Sequence, residues 1–278
     1  MSRQFAILGS PVGHSLSPPM QNAAFAAAGI DAVYRALDVP PDRLASTLAT
    51  LHAEGYEGLN VTLPHKEAAY ALAVTATVEA RAAGAANTLR RVDGGWAAHA
   101  TDPPGFLAWV DARGIAVSGA QVLLLGAGGA ARCVAWALLS RRVAAIDVAI
   151  RSAARARSLI SDLDANSAHW TRLTAAALSE APSLREGPRW DVLVRALSPE
   201  EVTPAEERWW SGVAPRGIVL DLNYGSRASA ARGVASRLGR RFEDGKEMLL
   251  QQGALSFTLW TGFPAPIEAM RAAIQAAG

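Results

Sequence analysis

Val122-Leu-Leu-Leu125-Gly126-Ala-Gly-Gly-Ala-Ala131 is an apolar run that passes directly into a glycine-rich turn and then into an alanine-rich helical pattern. A short run of this kind, closed by glycine, reads as a strand buried on both faces. The Gly126-x-Gly128-x-x-Ala131 spacing is then a dinucleotide-binding fingerprint in the strand-to-helix context that gives it meaning. The glycines permit a tight turn and close backbone approach to a pyrophosphate, and the small Ala131 allows close packing. A helix N-terminus adds amide donors and a favourable dipole, which makes Gly126, Ala127, Gly128, Gly129 and Ala130 candidate cofactor contacts. A glycine-rich turn without a ligand is the competing reading.

Downstream, Ile146 to Ile150, Val192 to Val194 and Ile218 to Leu222 continue the strand candidates, while Glu180 to Arg189, rich in Pro, Gly, Ser and charge, reads as a surface loop. The nucleotide is selected at the end of the strand that follows the loop. Asp147 has the right sequence distance for binding a ribose hydroxyl, yet in a strand it falls roughly 10 Å short of the carboxyl end. Arg151, Ser152 and Arg155 stand at that end instead. Two forked, permanently charged guanidiniums and a hydroxyl suit a 2′-phosphate, so the expected cofactor is NADP(H).

Upstream, Phe5 to Leu8, Tyr34 to Val39 and Gly58 to Leu63 read as strands, and Pro18 to Ala28, Pro41 to Ala53 and the segment after Pro64 as helices. This alternation predicts an α/β domain with a mostly parallel sheet. Ser15 and Ser17, two apart, point the same way if the segment is extended and grip one carboxylate; a serine turn capping the next helix is the plainer alternative. Asn60 and Thr62 repeat the spacing, and Pro64 is expected in the first helical turn with Lys66 close behind. A lysine there opposes the helix dipole, which suits acid-base work, although a solvated lysine explains it equally. Asp102, followed by two prolines, reads as a helix N-cap, or as the partner of an ammonium in a proton-shuttling pair.

The 278 residues suffice for two ordinary domains. No apolar run approaches the ~18 residues that cross a bilayer. The N-terminus runs directly into a strand with no signal-like segment, so a cytoplasmic location is expected. A single cysteine excludes an internal disulfide, and the five histidines show no ligand spacing, so no metal is expected. The net charge of +2 and the dispersed arginines argue against nucleic acid as a partner.

Taken together, Gly9-Ser-Pro-Val-Gly-His-Ser-Leu-Ser-Pro18, Asn60-Val-Thr-Leu-Pro-His-Lys66, Gly84-Ala-Ala-Asn-Thr88, Thr101-Asp102, the Gly126 loop, Asp221-Leu-Asn-Tyr224 and Asp244-Gly-Lys-Glu-Met-Leu-Leu-Gln-Gln-Gly253 resemble the shikimate dehydrogenase family from end to end. The resemblance implies a substrate domain over 1–104 and 241–278, with C-terminal helices returning to it. It also implies a Rossmann-type NADP-binding domain over 105–240, and a catalytic cleft between the two. It further implies that Lys66 and Asp102 are the catalytic pair, that Ser15 and Ser17 hold a substrate carboxylate, and that Thr62, Asn87 and Gln252 bind ring hydroxyls. Asn60 is grouped with them and Tyr224 is expected near the hinge. The implied reaction is NADPH-dependent reduction of 3-dehydroshikimate to shikimate, by a monomer or homodimer with no membrane partner. Ser17, where quinate-preferring relatives often carry Thr, favours shikimate.

The chain departs from the family pattern at Gln21, Ala100, Ile150 and the stretch Arg195-Ala-Leu-Ser-Pro-Glu200, where only Ala196 and Ser198 keep the usual residues. Arg195 is long enough to reach a cofactor phosphate or ribose, and Leu197 replaces a hydroxyl. Two alternatives follow: a divergent paralogue acting on quinate or an aminoshikimate-type analogue, or a catalytically weak binding paralogue with a damaged cofactor loop.

Overall fold

The computed structural model describes every residue except 1, 165–170, 181–188, 198–200 and 278. Those residues include most of the surface loop expected over Glu180 to Arg189, and Ser198 to Glu200 of the departing stretch. The described chain divides into two compact units, Met1–Trp109 with Met248–Gly278, and Val110–Glu247.

In the first unit the elements are β1 (Arg3–Gly9), α1 (Ser17–Ala27), β2 (Ala32–Asp38), α2 (Leu44–Ala53), β3 (Gly58–Val61), α3 (Lys66–Ala71), β4 (Thr75–Ala76), α4 (Val78–Ala83), β5 (Thr88–Val92) and β6 (Gly95–His99), followed by α5 (Asp102–Ala112). The sheet order is β2-β1-β3-β5-β6-β4. Strand β1 pairs in parallel with β2 and β3, as does β4 with β6, but β5 runs antiparallel to β3 and to β6. The antiparallel hairpin departs from simple strand-helix alternation. Its signal is the Asp93-Gly94 pair between Val92 and Gly95, a dipeptide suited to a two-residue turn, with Gly94 at φ +79°.

The second unit contains β7 (Gln121–Leu125), α6 (Gly129–Ser140), β8 (Ala145–Ile150), α7 (Ala153–Asp164), β9 (Arg172–Ala177), β10 (Trp190–Arg195), α8 (Pro204–Trp210), β11 (Val213–Asp221), α9 (Ser229–Arg237) and β12 (Arg241–Asp244). Every strand pairing is parallel, in the order β12-β11-β10-β7-β8-β9. The strand order reverses between β7 and β10, the place where doubly wound sheets open a crevice at their carboxyl ends. Val122 to Leu125 are fully buried, as a strand covered by helices on both faces requires. The edge strands β9 and β12 are half exposed and carry no continuous apolar run, which is why periodicity alone does not reveal them.

Two further helices, α10 (Lys246–Thr261) and α11 (Ile267–Ala277), return the chain to the first unit. Trp260 on α10 packs against Phe5 and Tyr34, with ring centroids 5.2 and 6.1 Å away, and Phe257 meets Phe25 at 5.4 Å. Burying each such aromatic contributes on the order of 2 kcal/mol, enough to hold the returning helices on strands more than 200 residues earlier.

Candidate active site

Lys66 is positioned by the way β3 ends. The Thr62 amide donates to Leu8 O at 2.8 Å, a turn closes from His65 N to Thr62 O at 2.9 Å, and the buried His65 ring holds Val39 O at 2.6 Å. Pro64 therefore lies in the turn ahead of α3, not in its first turn as expected, and Lys66 itself is the first helical residue. Its Nζ lies 2.5 Å from Oδ2 of Asp102, with side-chain exposures of 15% and 5%. Such a charge-assisted contact, largely shielded from water, offsets the cost of a lysine at a helix start.

Asp102 is held by Asn87, whose Oδ1 accepts the amides of Thr101 (2.7 Å) and Asp102 (3.3 Å). The Asp102 carboxylate receives Lys66 and caps no described amide, so of its two sequence readings the ion pair is the one present. Asn87 Nδ2 donates to Thr101 Oγ1 at 2.8 Å and to Gln252 Oε1 at 3.1 Å. Gln252 comes this close because α5 carries Gly105, where a Cβ would stand 2.7 Å from that of Gln252. Lys66, Asp102, Asn87 and Gln252 thus form one continuous hydrogen-bonded series.

Other sequence candidates sit differently. Leu16 has helical dihedrals (φ −83°, ψ 0°), so Ser15 and Ser17 do not lie on an extended segment; Ser15 Oγ accepts the Ser17 amide at 3.2 Å and Ser17 opens α1. This is a serine turn, although no side chain caps the helix. Asn60, expected beside the substrate, has its amide committed inside the sheet. Its Oδ1 accepts from Tyr34 Oη at 2.7 Å, and its Nδ2 lies within 3.2 Å of Asn87 O, Thr88 Oγ1 and Ser256 Oγ. Thr62 is partly exposed and fits closely over Gly9, where a Cβ would meet its methyl at 2.5 Å. Tyr224 belongs to the second unit, just ahead of a short 3-10 turn over Gly225–Ala228.

In the second unit Gly126 has φ +135°, and a Cβ there would stand 2.7 Å from Ala196 O, so the residue at the strand-order reversal must be glycine. Gly128 caps α6 and has open space where a side chain would project, room for a pyrophosphate against the helix N-terminus. Ala127 is buried, whereas Gly128, Gly129 and Ala130 are partly exposed. Past the end of β8, Arg151, Ser152 and Arg155 are all exposed, and Ser152 Oγ accepts the Arg155 amide at 3.4 Å. Asp147 is engaged elsewhere, accepting from Thr174 and from Trp190 Nε1 (2.7 Å) and facing Arg172 at 3.5 Å. An exposed pair of guanidiniums with the acidic residue withdrawn fits a nucleotide that carries a 2′-phosphate.

The departing stretch is remade rather than damaged. Arg195 is fully buried, so it does not reach toward a cofactor. Its Nε contacts Glu206 Oε1 at 2.7 Å, one terminal nitrogen faces Asp221 Oδ2 at 3.5 Å, and the other donates to Glu201 O at 3.3 Å. Leu197 packs on the core formed by β7, β10, β11 and α9, and its carbonyl accepts from Asn223 Nδ2 at 3.0 Å. Two carboxylates share one guanidinium here. Burial pushes the Asp221 carboxyl up to about 6, with Arg195 and Asn223 opposing, and burial likewise raises Glu206. The sequence carries no local signal for this cluster, since Arg195, Glu206 and Asp221 meet only through strand order.

Comparison with known proteins agrees with this geometry. Profiles of the shikimate dehydrogenase substrate binding domain, the shikimate / quinate 5-dehydrogenase family and the shikimate 5′-dehydrogenase C-terminal domain match residues 7–89, 111–201 and 245–275. A shikimate dehydrogenase (NADP(+)) of Anaeromyxobacter dehalogenans strain 2CP-C is 42% identical over 275 residues, covering 98% of this chain and 95% of the relative. The chain belongs to the shikimate dehydrogenase family. The family extends to a shikimate dehydrogenase (NADP(+)) of Moorella thermoacetica, 40% identical over 95% of this chain and 90% of the relative. Shikimate 5-dehydrogenase of Thermus thermophilus, crystallised with NADP(H) and shikimate, superposes with a TM-score of 0.82 at 34% identity, covering 99% of this chain and 100% of that one. Among the described residues no helix is long and apolar enough to cross a membrane, and no group of three or more His, Cys, Asp or Glu is placed to hold a metal.

Proposed function

We propose that this chain is an NADP-dependent shikimate dehydrogenase that reduces 3-dehydroshikimate reversibly to shikimate, as a cytoplasmic monomer or homodimer acting on a small molecule. The observation that carries the reading is the shielded Lys66–Asp102 pair, 2.5 Å apart, pinned through Asn87 to Gln252. NADPH, when bound, supplies the hydride to the ketone carbon. Lys66 Nζ gives the proton to the oxygen that becomes the hydroxyl, and Asp102 orients the amine and takes up the new hydroxyl hydrogen bond. Thr62, Asn87 and Gln252 hold ring hydroxyls, Ser15 and Ser17 hold the carboxylate, and Asn60 keeps Asn87 in place from behind. Residues 1–104 and 241–278 act as the substrate domain and 105–240 as the NADP domain. There the Gly126 to Ala130 loop receives the pyrophosphate and Arg151, Ser152 and Arg155 the 2′-phosphate, while Tyr224 contacts substrate. The remade Arg195 stretch still carries Ala196 against Gly126, which argues against a weak, cofactor-poor paralogue. Steady-state NADP-dependent oxidation of shikimate measured against quinate tests the reading. A clear preference for shikimate is expected, and turnover of quinate alone would reassign the substrate.

A further inference from the structure

Behind the catalytic pair lies a closed group of hydroxyls. Thr88 Oγ1 is 3.1 Å from Thr101 Oγ1 and 2.8 Å from Ser256 Oγ, and the latter two are 3.2 Å apart. Ser256 and Thr88 are fully buried and Thr101 nearly so, which keeps the first two out of reach of a ligand. Each hydroxyl has one proton to donate. Amide donors enter the group from Asn87 Nδ2 to Thr101 (2.8 Å) and from Asn60 Nδ2 to Thr88 (3.1 Å) and Ser256 (3.0 Å). The acceptor outside the group that a member reaches, among the described residues, is Gln252 O, 3.0 Å from Ser256 Oγ. The two threonine protons therefore stay within the group, and Ser256 is the member that donates out of it, to the helix carbonyl of Gln252.

We infer that Ser256 is a positioning residue of the active site, the outlet of a buried hydroxyl group that steadies Thr101 and, through the Asn87 amide that Thr101 shares with it, Asp102. The inference rests on the proposed shikimate dehydrogenase reading. Without the Ser256 hydroxyl, Thr101 and Thr88 retain two protons with one acceptor between them. One buried proton is left without an acceptor, and relieving it means shifting Thr101, which shares Asn87 with Asp102 and so loosens the hold on the Asp102 amide. Asp102 then loses its anchor although Ser256 lies at a distance from Lys66 in the bonded series.

The test uses Ser256→Ala in the full chain with two measurements. Hydrogen exchange at the Thr101 and Asp102 amides, read by NMR without substrate, is expected to quicken about tenfold or more while that of Phe5 to Leu8 in β1 stays unchanged. With shikimate and NADP, kcat is expected to fall about 5- to 50-fold at unchanged KM for NADP, the scale of one buried hydroxyl left without its acceptor. Unchanged exchange at both amides overturns the inference, as does a kcat within twofold of wild type. A wild type without shikimate turnover sinks the functional reading, and the exchange measurement still decides the role of Ser256. If Ser256→Ala does not fold, Ser256→Cys, of similar size and weak hydrogen-bonding power, takes the same two measurements, and the same outcomes support or overturn the inference.

Discussion

Lys66 and Asp102 illustrate how a shielded ion pair is made productive at the scale of single residues. Each charge is expensive to bury alone, and each is tolerated because the other stands 2.5 Å away and Asn87 holds the aspartate backbone. Lys66→Ala is expected to lower turnover roughly 10²- to 10⁴-fold in a chain that still folds and binds shikimate but is less stable, because Asp102 loses its partner, and Asp102→Asn to do similar damage to turnover. Steady-state kinetics with circular dichroism as a control check this, and near-wild-type turnover in both variants would remove the pair from the mechanism. At the nucleotide end, Arg151→Ala with Arg155→Ala should weaken NADPH far more than NADH, because only NADPH carries the phosphate that exposed guanidiniums grip. Titrations with both nucleotides decide it. Equal losses would make the arginines structural, though Asp147 is already occupied by Thr174 and Trp190.

The carboxyl end of β10 is the element whose behaviour differs most from its sequence. Taken from sequence, Arg195→Asn with Leu197→Thr restores small polar residues and should tighten NADPH. The structure gives these two residues a structural role, so stability is the quantity the change touches first. Arg195 pairs with both Glu206 and Asp221 where water is excluded, and Leu197 packs against the apolar core. Removing one partner of a buried ion pair costs about 3 to 5 kcal/mol, so the double variant is expected to unfold at markedly lower urea. A urea midpoint at or above the wild-type value would contradict the cluster. Length and chemistry hid this arrangement: an arginine at a strand end beside a cofactor loop looks solvent-directed until β11 and α8 are known to lie against it.

Across the whole molecule, the shared guanidinium leaves one buried carboxylate in excess and gives stability a pH dependence of definite sign. Asp221 has its carboxyl raised to about 6 from an ordinary 3.8, so between those values the folded chain binds more protons than the unfolded one. Its contribution is present at low pH and is lost as pH rises through about 6. Stability of Asp221→Asn minus that of wild type should therefore increase between about pH 4 and pH 6.5, measured by urea unfolding at each pH. A flat difference would mean that Arg195 fully compensates both acids.

What could be read from sequence alone was whatever the backbone demands locally. The Gly126 loop, the apolar β7, the other inner strands of the second unit and the arginines past β8 are each written in a few adjacent residues. The hairpin of β5 and β6 is also written locally, in Asp93-Gly94, but the strand-helix alternation around it masks the signal. The site itself was legible only as a family likeness, since an isolated lysine or aspartate reads equally well as solvated or capping. Tertiary structure decided the rest. It brought Lys66 to Asp102 across 36 positions and Asn87 to Gln252 across 165, withdrew Asn60 into the sheet, and turned Arg195 inward. Thr88 and Ser256 had no signal beyond the four-residue spacing that puts Ser256 on the same face of α10 as Gln252. A hydroxyl or a guanidinium states only what it can bond. Which groups stand within about 3 Å of it is set by the sheet order and helix packing of the folded chain, and no local pattern encodes that.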